Sequence, residues 1–256
     1  MTNAPSPLVF CHAGEIWQSR RVKIFGRSRE QIDKHPATIA EMFTEVAPRY
    51  DLMNDLASMG QDRRWRYHTT SALSPQTGDL ILDLAAGTGA SSRPIAQAGA
   101  HVIATDLTEE MVRVGKKRHP DQDFVVGDGL HLPYADACFD AATMSFGLRN
   151  VHDINAVLTE LARVVRPGGT LVICEFSRPT SPITRLAYRW WLKTGIPLIS
   201  SLASSHTSAY TYLGESILDW HDQRTLAAYL EKAGWTQIQW RNLTGGIVAL
   251  HRAVRP

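Results

Sequence analysis

Leu80-Ile81-Leu82-Asp83-Leu84-Ala85-Ala86-Gly87-Thr88-Gly89 is the stretch on which the fold turns. A short apolar run, the length of a buried strand, passes straight into a loop with two glycines, and a helical stretch then runs to Ala98. That order opens a βα unit. Glycine in such a loop lets the main chain approach a ligand that a Cβ would repel. Asp106 ends the next strand, where a carboxylate can accept both ribose hydroxyls of an adenosine. The dinucleotide fingerprint is incomplete, because its third glycine position holds Ser92. A pyrophosphate cofactor is thereby disfavoured, and Asp83 suits a cofactor with a positively charged aminoacyl end. Asp83, Gly87, Gly89 and Asp106 are the first candidate cofactor residues.

Outward from this unit the pattern repeats. Strands are predicted at Val102 to Thr105, Phe124 to Val126, Phe139 to Ser145 and Thr170 to Phe176. Between them lie a helix capped by Thr108 and running to about Arg118, and one capped by Asp153 and closed by Pro167-Gly168-Gly169. Toward the end, a helix from Thr225 to Ala233 is broken by Gly234. The runs Ile238 to Leu243 and Ile247 to His251 then meet through Gly245-Gly246, too close for anything but an antiparallel pair. The expected fold is α/β: a mostly parallel sheet ending in an antiparallel hairpin, with helices on both faces. Upstream, residues 37 to 47 and about 62 to 73 read as helices. Residues 1–35 lack a sustained period and read as an N-terminal extension, poorly ordered or loosely packed, ahead of one domain spanning 36–256.

Two more positions extend the candidate site. Gly127-Asp128-Gly129 follows the third strand, where an acid can receive an adenine amino group. Ser145-Phe146-Gly147 ends the fourth. Both sit at carboxyl ends of strands, where open α/β sheets bind ligands.

Composition narrows the function classes. A net charge of +2 provides no global field for nucleic acid. The basic clusters Arg63, Arg64, Arg66 and Lys116, Lys117, Arg118 read as solvated helix faces. Cys11, Cys138 and Cys174 are scattered, which argues against a disulfide framework or a cysteine zinc site; no metal site is expected, and reducing cytoplasm is the expected compartment. No run reaches the roughly 18 apolar residues of a spanning helix, and the first residues lack a signal peptide's apolar core.

Four motifs carry a resemblance: Ala47-Pro-Arg-Tyr50-Asp51-Leu-Met-Asn54-Asp55, Ser145-Phe-Gly-Leu-Arg149-Asn150-Val151, Tyr212-Leu-Gly-Glu215-Ser216-Ile217, and Asn242-Leu-Thr-Gly-Gly-Ile-Val-Ala-Leu-His251-Arg252. Over about residues 43 to 252 the chain resembles the quinone-biosynthesis C-methyltransferases that make menaquinone and ubiquinone. The resemblance implies a Rossmann-like class I methyltransferase fold, S-adenosyl-L-methionine as cofactor, and cofactor contacts at Thr88, Asp106, Asp128, Gly129 and Ser145. It implies C-methylation of demethylmenaquinol to menaquinol, the last step of menaquinone biosynthesis. Ubiquinone work, or another phenolic or lipid substrate, stands as the alternative; a nicotinamide oxidoreductase is the alternative of different class, disfavoured by Ser92. Two departures are Ala86 and Ala90, where the family often has Gly and Asp. His152 also stands where a small or polar residue is expected.

A phenolic ring carbon attacks a methyl group only after its hydroxyl loses a proton, so a fixed cation beside the ring would favour the reaction. Arg149 is the candidate for that role and Asn150 for holding the substrate oxygen, with a water or a nearby His, Asp or Tyr taking the proton. Tyr50, Asp51 and Tyr212 are candidates for the ring pocket, while His251 reads as a structural histidine. A prenylated quinol must be met at a membrane. The expected setting is cytoplasmic, with peripheral contact on the inner face of the cell membrane through Tyr188-Arg-Trp190-Trp191-Leu-Lys193 and Ile196 to Leu202. The sequence leaves open whether the chain forms a homo-oligomer.

Overall fold

The computed structural model describes residues 36–47, 54–55, 58, 60–195 and 207–256. Two helices, α1 (Pro36–Val46) and α2 (Gln61–Leu73), lead into β1 (Leu80–Leu84). There follow α3 (Ser92–Gln97), β2 (His101–Asp106), α4 (Glu109–Arg118), β3 (Asp123–Val126) and β4 (Phe139–Ser145). A 3-10 turn at Leu148–Asn150 precedes α5 (Ile154–Val164) and β5 (Val165–Phe176). The last part holds α6 (Pro182–Trp190) with a wider π-helical turn at Trp191–Gly195, then α7 (Thr207–Leu218), α8 (Gln223–Lys232), β6 (Thr236–Leu243) and β7 (Val248–Val254).

The strands form one sheet in the order β3-β2-β1-β4-β5-β7-β6. β1 to β5 are parallel, and β7 runs antiparallel to both β5 and β6. The expected hairpin is present, with β7 rather than β6 joined to the parallel part. The chain order reverses between β1 and β4, so the loops leaving these neighbours diverge and open a crevice at their carboxyl ends.

Strand alternation builds a core on each side of the sheet. Leu82 and Leu84 of β1 pack with Leu158, Leu161 and Trp235, while Ile81 packs on the opposite side with Trp65, Ile95 and Val172. Cys174 lies buried on that second side, and burial pushes its thiol up to about 12, so it stays protonated as an apolar filler. Trp235 is also held by its indole N–H, which donates to the Leu158 carbonyl at 3.0 Å.

Three local expectations change. Pro167-Gly168-Gly169 does not close a helix. α5 ends at Val164 and β5 starts at once, with Val165 paired to Phe139 before the register slips and Thr170 pairs with Ala141. Gly169 sits in that slip with no room for a side chain, since a Cβ would lie 2.6 Å from the Asp140 carbonyl oxygen. Thr108 precedes α4, but its side chain makes no cap; the Asp106 carboxylate already accepts the Thr108 amide at 2.9 Å. The basic cluster of α2 is not a uniform solvated face, because Arg66 is partly buried against Asp62.

Asp153 does cap α5, accepting the Ala156 amide at 3.0 Å. Asp153→Ala should lower the unfolding free energy by about 1 kcal/mol, read as a shifted urea midpoint at unchanged slope.

Candidate functional site

Two pockets lie at the carboxyl ends of the strands. The smaller is lined by Gly87, Asp106, Asp128, Gly129 and Asn150 together with apolar side chains such as Phe43, Leu84 and Met111. The larger is also mostly apolar and includes Thr88, Ser145 and Arg149. Ala85 and Phe146 line both, so the two pockets meet there. Ala85 ends the path out of β1 and Phe146 the path out of β4. Each holds a left-handed backbone, φ 56° and φ 57°, that costs a non-glycine residue on the order of 1 kcal/mol. The chain after Phe146 comes so close to the first loop that a Cβ on Gly147 would stand 2.4 Å from the Ala85 Cβ. Glycine at position 147 is what lets the two loops touch.

The glycine loop is built around two acids. The Asp106 carboxylate accepts the Gly87 amide at 2.8 Å through Oδ2 and the Thr108 amide through Oδ1. These bonds fix the carboxylate at the end of β2, where it lines the smaller pocket. Asp83 is fully buried, and its Oδ2 accepts hydroxyl protons from Ser91 at 2.7 Å and Ser92 at 2.5 Å. Ser92, which in sequence only breaks a dinucleotide fingerprint, is a support for Asp83. The other oxygen, Asp83 Oδ1, is buried with no hydrogen-bond partner. Asp83 lines neither pocket, but its buried and half-satisfied carboxylate puts a site for negative charge directly behind Leu84 and Ala85, which do, and that suits an ammonium-bearing ligand. A glycine-bounded crevice, two carboxylates and an unsatisfied acceptor fit an aminoacyl-adenosine cofactor. Asp128 uses Oδ1 to accept the Leu130 amide at 2.9 Å, which fixes its turn while it lines the smaller pocket.

Ala86 and Ala90, the departures in the loop, line the larger pocket and not the smaller one. His152 lines the smaller pocket.

The larger pocket contains the sharper electrostatics. Arg149 is buried and faces Glu175 at the end of β5, with Nη1 to Oε1 at 3.2 Å. Its Nη1 also donates to the Phe146 carbonyl, and its guanidinium lies 5.2 Å from the centre of the Phe176 ring. Arg149 Nε is buried without a hydrogen-bond partner, as is Ser145 Oγ. Burial pushes the Glu175 carboxyl up, and the Arg149 charge with the amides of Phe176 and Arg149 pulls it back. Trp65, Phe146 and Phe176 form an aromatic wall with ring centres 5.0 to 6.2 Å apart. Asp62, held by Arg66, is the one carboxylate lining this pocket among the described residues.

Sequence reasoning missed Glu175, Asp62 and the Trp65 wall. Glu175 had a signal, an acid inside the apolar run from Thr170 to Phe176. The other two had none, since they face the site only through the docking of α2. That docking is tied by the Trp65 indole N–H, which donates to Thr244 Oγ1 at 2.9 Å in the β6–β7 turn. The carboxyl-terminal motif is thus largely scaffold: Gln223 donates to Asn242 at 2.8 Å, and His251, buried as expected, contacts the Gln223 carbonyl at 2.9 Å. Tyr212 donates to Asn150 Oδ1 at 3.0 Å, which joins two of the candidates directly. Tyr50, Asp51 and the stretch 196–202 lie outside the described residues.

Burial raises the Asp83 carboxyl from 3.8 to about 6, with the Ser92 and Ser91 hydroxyls opposing the rise. Stability from the protonated form is therefore present below the unfolded value and lost as pH rises through about 6. An ammonium-bearing ligand has the opposite preference, for the ionised form. Affinity for S-adenosylhomocysteine should accordingly rise about tenfold from pH 5 to pH 7, and Asp83→Asn should flatten that profile in calorimetric titrations.

The sequence pattern of the ubiE/COQ5 methyltransferase family matches residues 30–255. The chain is 52% identical over 229 residues to a demethylmenaquinone methyltransferase of Paenarthrobacter aurescens, covering 90% of each chain. It is 51% identical to a demethylmenaquinone methyltransferase of Streptomyces griseus, over 89% of this chain and 99% of that one. Among solved structures, the [4+2]-cyclase SpnF superposes with a TM-score of 0.64 at 16% identity, over 85% of this chain and 95% of that one. A phosphoethanolamine N-methyltransferase of Haemonchus contortus in complex with S-adenosyl-L-methionine gives 0.55 at 15% identity, over 75% and 52%. These two share the fold. By the extent of its family match and of its identity to these relatives, the chain belongs to the ubiE/COQ5 methyltransferase family.

Proposed function

We propose that the protein methylates a ring carbon of demethylmenaquinol to give menaquinol, using S-adenosyl-L-methionine. The observation that carries this reading is the junction at Ala85 and Phe146, where the pocket lined by Asp106 and Asp128 meets a larger apolar chamber with the buried Arg149 in its wall. The relatives' names point the same way. Catalysis belongs to residues 36–256, with residues 1–35 as an appended extension. The cofactor would be held by Asp83, Gly87, Thr88, Gly89, Asp106, Asp128, Gly129 and Ser145. When bound it supplies a methyl group on a positively charged sulfur.

The chain's own residues have three tasks. The first is position: attacking carbon and methyl must come within roughly 3 to 3.5 Å, and the Trp65, Phe146 and Phe176 wall presents flat apolar surface to a fused aromatic ring. The second is charge. Arg149 is permanently cationic, and Glu175 and the Phe146 carbonyl hold its fork still in the chamber wall, where its charge would favour the oxygen that becomes phenolate. Glu175 acts through Arg149 and is a positioning residue. The third is the proton. Asp62, in the chamber wall, would accept it. Asn150, hydrogen-bonded to Tyr212, lines the smaller pocket and would reach a quinol oxygen only where the two pockets meet. The isoprenoid tail brings the protein to the inner face of the cell membrane. Among the described residues no helix is long and apolar enough to cross it.

The test is methyl transfer to a reduced short-chain demethylmenaquinol, followed by chromatography of the product. Cofactor binding without methylated product would overturn the substrate assignment. Arg149→Ala would also leave Glu175 buried and unpaired, at about 3 to 5 kcal/mol. Arg149→Lys keeps the charge and loses the fork, so kcat should fall on the order of 100-fold while cofactor affinity is unchanged. Equal loss in both would remove the role assigned to Arg149.

A further inference from the structure

Helix α6 is apolar on two opposite sides. Tyr188, and Leu192 one turn on, face inward and pack with Ile217 and Phe176. Ile183, Leu186 and Trp190 face away and stand 81%, 73% and 65% exposed. At about 100° per residue these three side chains fall within roughly 60° of arc, a single outward stripe. A surface helix that has already buried one apolar face has no structural need of a second. Large side chains concentrated on such a face mark a surface that something else covers.

The two flanks of the stripe indicate what covers it. On one side Arg189 and Lys193 are exposed beside Leu186 and Trp190. Arg185, further round, donates to the Pro179 carbonyl at 3.1 Å and serves the helix itself. On the other side Thr184 and Ala187, with Trp190, line the large apolar chamber. Trp190 is both exposed and part of the chamber wall, so the chamber reaches the surface at the stripe. Cations, an aromatic ring and aliphatic side chains in that order match the headgroup-to-acyl gradient of an anionic bilayer.

We propose that the Ile183–Leu186–Trp190 stripe is the docking face for an anionic lipid bilayer, and that it sets the chamber mouth against the acyl chains. Ile183 and Leu186 enter the hydrocarbon, Trp190 sits at the boundary, and Arg189 and Lys193 meet lipid phosphates. A prenylated substrate then passes along α6 into the chamber with its tail never exposed to water. This deepens, and rests on, the assignment of a prenylated quinol to that chamber.

The test is flotation of the full-length protein with phosphatidylcholine vesicles with and without phosphatidylglycerol. Wild-type protein should float with the anionic vesicles, less so as salt rises. Ile183→Glu combined with Leu186→Glu should cut the bound fraction roughly tenfold or more. The same pair should retain turnover of a short-tailed soluble quinol and lose turnover of a long-tailed one embedded in vesicles. Arg189→Glu with Lys193→Glu probes the face from its charged edge and should abolish the preference for anionic lipid. Wild-type protein that ignores anionic vesicles, or a double glutamate variant that floats normally, overturns the proposal. So does a wild-type dimer that the glutamate pair dissociates in sedimentation equilibrium, since a second copy would then cover the stripe. Absent turnover of the short-tailed quinol by wild-type protein counts against the substrate reading and leaves the flotation result standing.

Discussion

Where β4 and β5 end, a guanidinium and a carboxylate face each other almost sealed from water. Arg149 and Glu175 are each expensive to bury alone, and each is tolerable because the other is there. Glu175 further accepts the amides of Arg149 and Phe176, so the pair fastens the turn after β4 to the tip of β5. That turn carries Phe146 in its left-handed conformation and Gly147 against Ala85. One ion pair therefore sets the wall shared by the two pockets. It does so at the point where the sheet's chain order reverses and where parallel topology leaves space for ligands.

The same arrangement explains the division of labour around the crevice. Residues following β1, β2 and β3 present backbone amides and carboxylates, which suit a polar, nucleoside-like ligand. Residues from α6 with its π-helical turn, from α7 and from the β6–β7 turn close over the other side and are mostly aromatic or aliphatic, and α2 adds Trp65 beside polar groups. These late and early parts of the chain meet through the bond from Trp65 to Thr244, backed by packing of Trp65 on Phe146 and Phe176. The smaller pocket thus takes its carboxylates from the ends of the strands, whereas the larger chamber is closed mainly by helices laid across the sheet.

How much was legible in advance follows the same line. Strand positions, the hairpin and the Asp153 cap are local or periodic properties, and the chain states them within two or three residues of itself. The slip in β5 was not legible, because a Pro-Gly-Gly that ends a helix and one that absorbs a register shift look alike until Phe139 and Ala141 claim their partners. Ser92 could be seen to spoil a dinucleotide loop. That it holds Asp83 depends on α3 folding back over β1.

The sequence by itself determined the βα order, the glycine loop with its two acids, and the motifs that assign the family, since each is a matter of residue type at short spacing. Tertiary structure alone decided which pocket each candidate lines. Thr88 and Ser145 line the larger one and Gly87 and Asp106 the smaller, and Gly87 and Thr88 part because successive residues of a tight loop point in different directions. It alone showed that Arg149 does not stand as a lone cation. Its partner, Glu175, is 26 residues away and becomes adjacent only when β5 pairs with β4.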